Sequence, residues 1–270
     1  MYDLFNIKNK VVVITGGTGV LCSSMVKYLA AHGAKMAVLA RDKAKGDKLV
    51  DEVTNDGGDA IFLQTDVTDE TLLKQNAEEI IRKYGRIDVL INGAGGNMPG
   101  ATIGPNNTIF DLKIDEFRKV VDVNLMGSVI PTIVFAKYMV DKKQGNIINI
   151  SSESALRPLT RVAGYGAAKA AVSNFTKYMA GEMAIKFGDN FRVNAMAPGF
   201  FITEQNRTLL TNPDGSYSDR GKSIIAHTPF RRFGVPEDLL GTLHYLVSDA
   251  SKFVTGTVAV VDGGFDAFSI

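Results

Sequence analysis

Short β-branched runs alternate along this chain with longer amphipathic stretches, and this alternation limits the possible folds more than any other feature. The runs are Val11–Thr15, Met36–Leu39, Ala60–Leu63, Val89–Asn92, Ile147–Ile150, Arg192–Ala197 and Val258–Val261. Segments such as VVVIT and IINI are apolar without alternation, as strands buried on both faces are. Helix-period stretches lie between them, near 20–31, 43–55, 69–84, 115–140, 165–187 and 236–247. Parallel strands need a crossover, usually a helix. The pattern therefore predicts an α/β fold: one doubly wound, seven-stranded parallel sheet with helices on both faces. No Pro/Gly/Ser linker, charge block or repeat divides residues 1–270, so a single domain is expected. One interval breaks the rhythm. Residues 199–232, which include TNPDGSYSDRG, form a long polar stretch, read as a substrate lid, with a disordered loop as the alternative.

Charge narrows the function classes. Thirty Lys and Arg stand against 29 Asp and Glu, a net charge of +1, which argues against a nucleic-acid or anionic-membrane binder. The lone cysteine, Cys22, excludes an intrachain disulfide and fits a reducing compartment; it is read as a small packing residue. No apolar run is expected to approach bilayer-spanning length, and MYDLFNIKNK lacks a secretory layout. A cytoplasmic location follows as an expectation. His32, His227 and His244 are scattered without ligand spacing, so no metal site is expected.

The first strand runs directly into Thr15-Gly16-Gly17-Thr18-Gly19-Val20-Leu21. Glycines here let the backbone turn sharply and approach a pyrophosphate seated on the helix N-terminus. The G-x-G-x-x-G spacing is not met, but the position after the first strand of a βαβ unit supports a Rossmann-like nucleotide site. A ligand-free turn is the alternative. The second strand ends Ala40-Arg41-Asp42. An acidic residue there would bind the 2′-hydroxyl of NAD, whereas arginine suits a 2′-phosphate. Ala40 and Arg41 thus favour NADP over NAD, with Asp42 close by and a solvated Arg41 as the alternative. Asp66, followed by Val67, stands where a carboxylate can meet an adenine amino group. Asn92-Gly93-Ala94-Gly95 is small enough for a ribose to lie against it, though both loops could be plain turns.

Tyr165 and Lys169 are spaced i, i+4, one turn apart on one helix face. A phenol with a pKa near 10 is a poor acid or base at neutral pH, and a neighbouring ammonium favours its ionised form. The pair can therefore serve as a general acid/base. Ser152, at the end of the fifth strand, could polarise a substrate carbonyl.

The set TGGTGVL, NGAGG, DVNLMG, IINISS, YGAAK and PGFFIT resembles the classical short-chain dehydrogenases/reductases over essentially the whole chain. The resemblance implies an NAD(P)-dependent oxidoreductase acting on CH–OH donors, with Asn124, Ser152, Tyr165 and Lys169 as its catalytic tetrad. Tyr165 would be the acid/base and Ser152 the carbonyl orienter. Lys169 would hold the ribose and lower the tyrosine pKa, and Asn124 would keep a relay water. Gly16, Gly17, Thr18, Val20 and Leu21, with Arg41, Asp66, Val67, Asn92, Gly93, Ala94 and Gly95, would line the cofactor. Pro198, Gly199, Phe201 and Thr203 would meet its nicotinamide end. The family's TGxxxGxG has glycines where this chain has Val20 and Cys22. A homodimer or homotetramer is implied as well.

TGGTGVLC, NGAGGN, AKAAVSNFT, PGFFITEQNR and HTPFRRFG are similar to the D-mannonate oxidoreductase branch of the family. That branch is expected to use NAD, against the NADP reading of Arg41. A small carboxylated sugar derivative is the expected substrate, with D-mannonate as the example and another sugar, polyol or keto-acid (gluconate-5-dehydrogenase-like) as the alternative. Arg157, Gln205-Asn206-Arg207 and His227 are its candidate ligands, because an arginine fork binds both carboxylate oxygens. Surface salt bridges are the competing role for Arg157 and Arg207. A non-catalytic NAD(P) sensor would need the pocket but not the tetrad.

Overall fold

The computed structural model describes residues 3–203 and 206–268. Seven parallel strands form one sheet in the order β3-β2-β1-β4-β5-β6-β7. They are β1 (Val11–Thr15), β2 (Lys35–Ala40), β3 (Asp59–Gln64), β4 (Val89–Asn92), β5 (Gly145–Ile150), β6 (Phe191–Pro198) and β7 (Val258–Val261). The expected strands are all present, several longer by one or two residues. Strand order reverses between β1 and β4, the switch point where doubly wound sheets open a ligand crevice at their carboxyl ends. Thr15 and Asn92 are paired in register there, so the loops leaving β1 and β4 start side by side.

Side chains leave a strand on alternate faces, and both faces of this sheet are apolar. Val12, Ile14, Met36, Val38 and Ile148 pack on the layer formed by α1 (Val20–Ala31), α2 (Lys43–Asn55) and the later helix Leu240–Val247. Val11, Val13, Ala37, Leu39 and Ile147 pack on the opposite layer, which contains α3 (Glu70–Tyr84), α4 (Ile114–Val121), α5 (Gly127–Asp141) and α6 (Ala163–Phe187).

Between α4 and α5 the chain makes a turn of π-helix, Asp122–Met126, so Ile114–Asp141 is one continuous 28-residue helix. This corrects the expectation that no apolar run approaches spanning length: by length and composition this helix could cross a bilayer. Half of its most apolar window is buried in the fold, and α5 packs on α3, β4 and β5. The expected 199–232 interval is more structured than a loop. It holds α7 (Arg207–Leu210) and α8 (Asp219–His227), seated on Leu210, Ile224 and Phe233. The last expected helix begins later than predicted. Pro236–Leu239 is a 3₁₀ turn, and α9 follows as Leu240–Val247.

Candidate active site

The nucleotide turn is set by close backbone approach. Gly16 has φ +65°, and a Cβ there would lie 2.7 Å from the Ala94 Cα, so the β1 and β4 loops touch. The Thr15 hydroxyl accepts hydrogen bonds from the backbone N–H groups of Gly93 and Ala94, both at 3.2 Å. Thr15 is a site-forming residue that sequence reasoning missed. Its only signal was its place immediately before Gly16. Helix α1 starts at Val20, and its N-cap Gly19 supplies no capping side chain, leaving the first-turn N–H groups aimed at the crevice. Cys22 is buried, and a side chain at Gly93 would collide with its sulfur. The thiol thus packs α1 against the β4 loop, as its packing role requires. Burial pushes its pKa up to about 12, with Lys169 pulling weakly the other way.

At the adenosine end, Arg41 is exposed and makes no ion pair among the described residues, while its carbonyl accepts from Gln64 Nε2. Asp42 caps α2 by accepting the Lys45 N–H at 3.0 Å. Asp66 accepts the Thr68 N–H and hydroxyl through Oδ1, and these bonds hold its carboxyl below the usual range. Val67 is buried against Gly127. Asn92 is buried too. Its amide donates to Thr132 Oγ1 (2.9 Å) and Asn149 Oδ1 (2.8 Å), and Asn149 donates to Thr176. This buried ladder ties β4 to β5, so the Asn92 side chain supports the cofactor loop from within the sheet.

The sheet's carboxyl edge brings the four expected catalytic residues together. Asn124 sits on the π-helical turn. Its Oδ1 accepts the Gly96 N–H (3.1 Å), and its Nδ2 donates to the carbonyls of Gly96 (2.6 Å) and Val120 (2.8 Å). The side chain is therefore spent clamping the long helix to the β4 loop. Lys169 is 3% exposed; its Nζ donates to the Ile150 carbonyl at 2.8 Å and lies 5.7 Å from the Tyr165 ring centroid. Burial draws its pKa down to about 8. Burial raises the Tyr165 phenol, and a hydrogen bond with Ser152 draws it back. The lysine charge is itself desolvated and directed to Ile150. Ser152 also accepts from Ser154 through its N–H (3.2 Å) and hydroxyl (3.0 Å).

A cofactor fits this edge. A Cβ on Gly95 would lie 2.5 Å from Asn124 Oδ1 and 3.2 Å from Lys169 Nζ, so glycine keeps open a cradle floored by those two polar groups. Pro198 ends β6, and the Gly199 N–H donates to Val261. Phe201 is turned into the core beneath Gly234, so its backbone rather than its ring borders the cleft.

The substrate-side candidates scatter. Arg157 is paired with Asp266 (Nε to Oδ1, 2.8 Å) and donates to the Asp266 carbonyl, the salt bridge weighed from sequence. Its fork is occupied because the C-terminal segment folds back over it. Arg207 opens α7 and is exposed. His227 is exposed, its Nδ1 on the Ser223 carbonyl. Asn206 accepts the Thr203 N–H and donates to the Phe201 carbonyl, closing the turn that leads into α7. Gln205 lies outside the described residues. His32 is exposed. His244 is buried, with its Nδ1 bonded to the Tyr28 hydroxyl and its Nε2 to the Phe5 carbonyl. Among the described residues no cluster of His, Cys, Asp or Glu is arranged to hold a metal. Glu153 directly follows Ser152. It is 1% exposed, and neither carboxyl oxygen has a hydrogen-bond partner among the described residues.

A doubly wound sheet with an open glycine cradle beside a buried lysine, a tyrosine and a serine defines a nucleotide-dependent oxidoreductase. The short chain dehydrogenase family model matches residues 10–214, and the chain belongs to that family as an NAD(P)-dependent dehydrogenase. It is 46% identical to an uncharacterised oxidoreductase, UxuB, of Bacillus subtilis, over 98% of this chain and 97% of that protein. It superposes with a TM-score of 0.91 on a candidate D-mannonate oxidoreductase from Haemophilus influenza with bound NAD, at 42% identity, covering 98% and 97% of the two chains. A gluconate 5-dehydrogenase from Burkholderia cenocepacia, in complex with NADP and tartrate, gives 0.87 at 29% identity over 99% of each chain.

Proposed function

We propose that the enzyme interconverts a secondary alcohol and a ketone on a small carboxylated sugar derivative, D-mannonate and its keto-acid being the model pair. The observation that carries the reaction class is the cradle of Gly95, Asn124 and Lys169, with Lys169 Nζ 5.7 Å from the Tyr165 ring centroid. A nicotinamide held at this edge would supply or take the hydride. Tyr165 moves the proton at the substrate oxygen, and Ser152 orients that oxygen by a hydrogen bond. Lys169, whose Nζ borders Gly95, would hold the ribose. Asn124 fixes the loop and the helix bend at which a relay water would sit. Two features support the sugar-acid class: the similarity to a candidate D-mannonate oxidoreductase, and a polar rim on α7 and α8 that carries Arg207, Asp219, Arg220 and Lys222.

Arg41, exposed and free of ion pairs among the described residues, supports a modest preference for NADP, because a 2′-phosphate can take its fork while Asp42 is occupied as a helix cap. Exposed Ile114, Ile133, Tyr178 and Ile185 on α4 to α6 support a homodimer or homotetramer. Light scattering that returns a monomer would overturn that assembly. A free, buried Cys22 is in keeping with a cytoplasmic location. The deciding experiment is a panel of sugar acids and polyols, each assayed with NAD and NADP by nicotinamide absorbance. The highest kcat/KM is expected on D-mannonate with NADP. A better rate on mannitol would overturn the sugar-acid reading, and a higher kcat/KM with NAD would overturn the cofactor preference.

A further inference from the structure

The buried Arg192 is held by the Leu246 and Ser248 carbonyls and the Ser251 hydroxyl, while four other arginines are matched to a carboxylate: Arg86 to Asp88, Arg118 to Asp115, Arg157 to Asp266 and Arg232 to Asp238. Arg161 and Arg220 are not. Neither makes an ion pair among the described residues, yet both are only partly exposed. Arg220, on α8, donates from Nη1 to the Thr160 hydroxyl at 2.9 Å and from Nη2 to the Thr160 carbonyl at 3.3 Å. Its guanidinium is thereby fixed against the residue next to Arg161. Arg161 has φ +77°, a left-handed conformation that a long side chain adopts only where its surroundings impose it, and its carbonyl accepts the Ile103 N–H at 3.0 Å.

Three segments meet at this point. They are the loop after β4, which carries Gly95; the loop after β5, which runs from Ser152 to Tyr165; and the α8 portion of the segment after β6. All three leave the carboxyl edge of the sheet on which the catalytic residues stand. Arg161 lies four positions before Tyr165.

We propose that Arg161 and Arg220 together form the site that binds the substrate's carboxylate. Neighbouring guanidinium groups repel each other, and burial first, then the Arg161 charge, draws the Arg220 pKa down. A planar anion placed between them relieves both costs, and the fork geometry of arginine accepts two carboxylate oxygens at once. Arg157, one of the sequence candidates for this task, is already paired with Asp266. This inference rests on the sugar-acid reading above and assigns residues to it.

The test uses Arg161→Gly, which suits the left-handed backbone while removing the charge, and Arg220→Gln, which keeps a donor for Thr160. For each variant and for wild type, kcat/KM is measured on D-mannonate and on mannitol, and cofactor affinity and thermal midpoint are recorded as checks on folding. Each variant is expected to lower the D-mannonate-to-mannitol ratio about 10- to 100-fold, mainly through KM, the range expected for losing a charge-assisted hydrogen bond. If wild type prefers D-mannonate and neither folded variant changes the ratio, the carboxylate binds elsewhere and only this inference fails. If wild type prefers mannitol or uses neither compound, the sugar-acid reading fails and takes this assignment with it.

Discussion

Tyr165, Lys169 and Ser152 stood out in the sequence as a candidate set, because an i, i+4 phenol and ammonium gains meaning only beside a strand-end hydroxyl and a nucleotide loop. Their surroundings were not legible. The Ser152 hydroxyl accepts two bonds from Ser154, and Lys169 is anchored on the Ile150 carbonyl. Such bonds depend on which backbone groups the fold leaves open. The site predicts a sharp result for Tyr165→Phe. Phenylalanine keeps the ring but removes the only group placed to move the proton, so kcat should fall by roughly 10²–10⁴. Cofactor affinity, measured by fluorescence titration, should hold within a few-fold, since Gly95 and Lys169 form the cradle. A variant retaining more than about a tenth of wild-type kcat would remove Tyr165 from the acid/base role.

At the scale of elements, strand and helix identity followed from periodicity, and most errors fell at boundaries. The larger misses share a cause. α7 and α8 are short and stand on a small cluster of Leu210, Ile224 and Phe233, contacts made across a polar stretch that no local period announces. The π-helical turn at Asp122–Met126 was likewise hidden, because it owes its position to Asn124 bonding the β4 loop. The altered glycine motif has an element-level meaning too. Cys22 fills the space above Gly93 and helps seat α1 on that loop. A buried thiol whose pKa is pushed up to about 12 carries almost no thiolate near neutrality, and the thiolate is the reactive form. Iodoacetamide at pH 8 should therefore leave the folded protein unlabelled by mass spectrometry and label Cys22 fully in denaturant. Labelling of the native protein at the rate of a free thiol would mean that α1 is not seated as described.

For the molecule as a whole, near-neutral composition leaves little long-range charge effect at a net charge of +1, so stability near neutral pH should follow local groups. The strongest of these lies where the C-terminal segment is strapped over the serine loop by Arg157 and Asp266. Glu153 is buried beneath this strap without a hydrogen-bond partner among the described residues. Burial, then Asp266 and Asp262, push its pKa up to about 7, and Arg157 offsets only part of the rise. Below about pH 4.5 the carboxyl is protonated in both folded and unfolded chains, and it adds no pH dependence. As pH rises from there to about 7, the unfolded chain releases the proton while the folded chain retains it, so stability falls across that window and levels off above it. The shift corresponds to about 3 kcal/mol at most. Lys169 acts in a separate window with the opposite sign. Its folded pKa of about 8 lies below the ordinary 10.5, so stability recovers between those values. Glu153→Gln keeps the shape and removes the titration. Its thermal midpoint should match wild type near pH 4.5 and exceed it by several degrees at pH 7.5, with the rise above pH 8 intact in both proteins. Parallel curves for the two proteins from pH 4.5 to 7.5 would show that Glu153 ionises freely and that the strap does not hold it neutral.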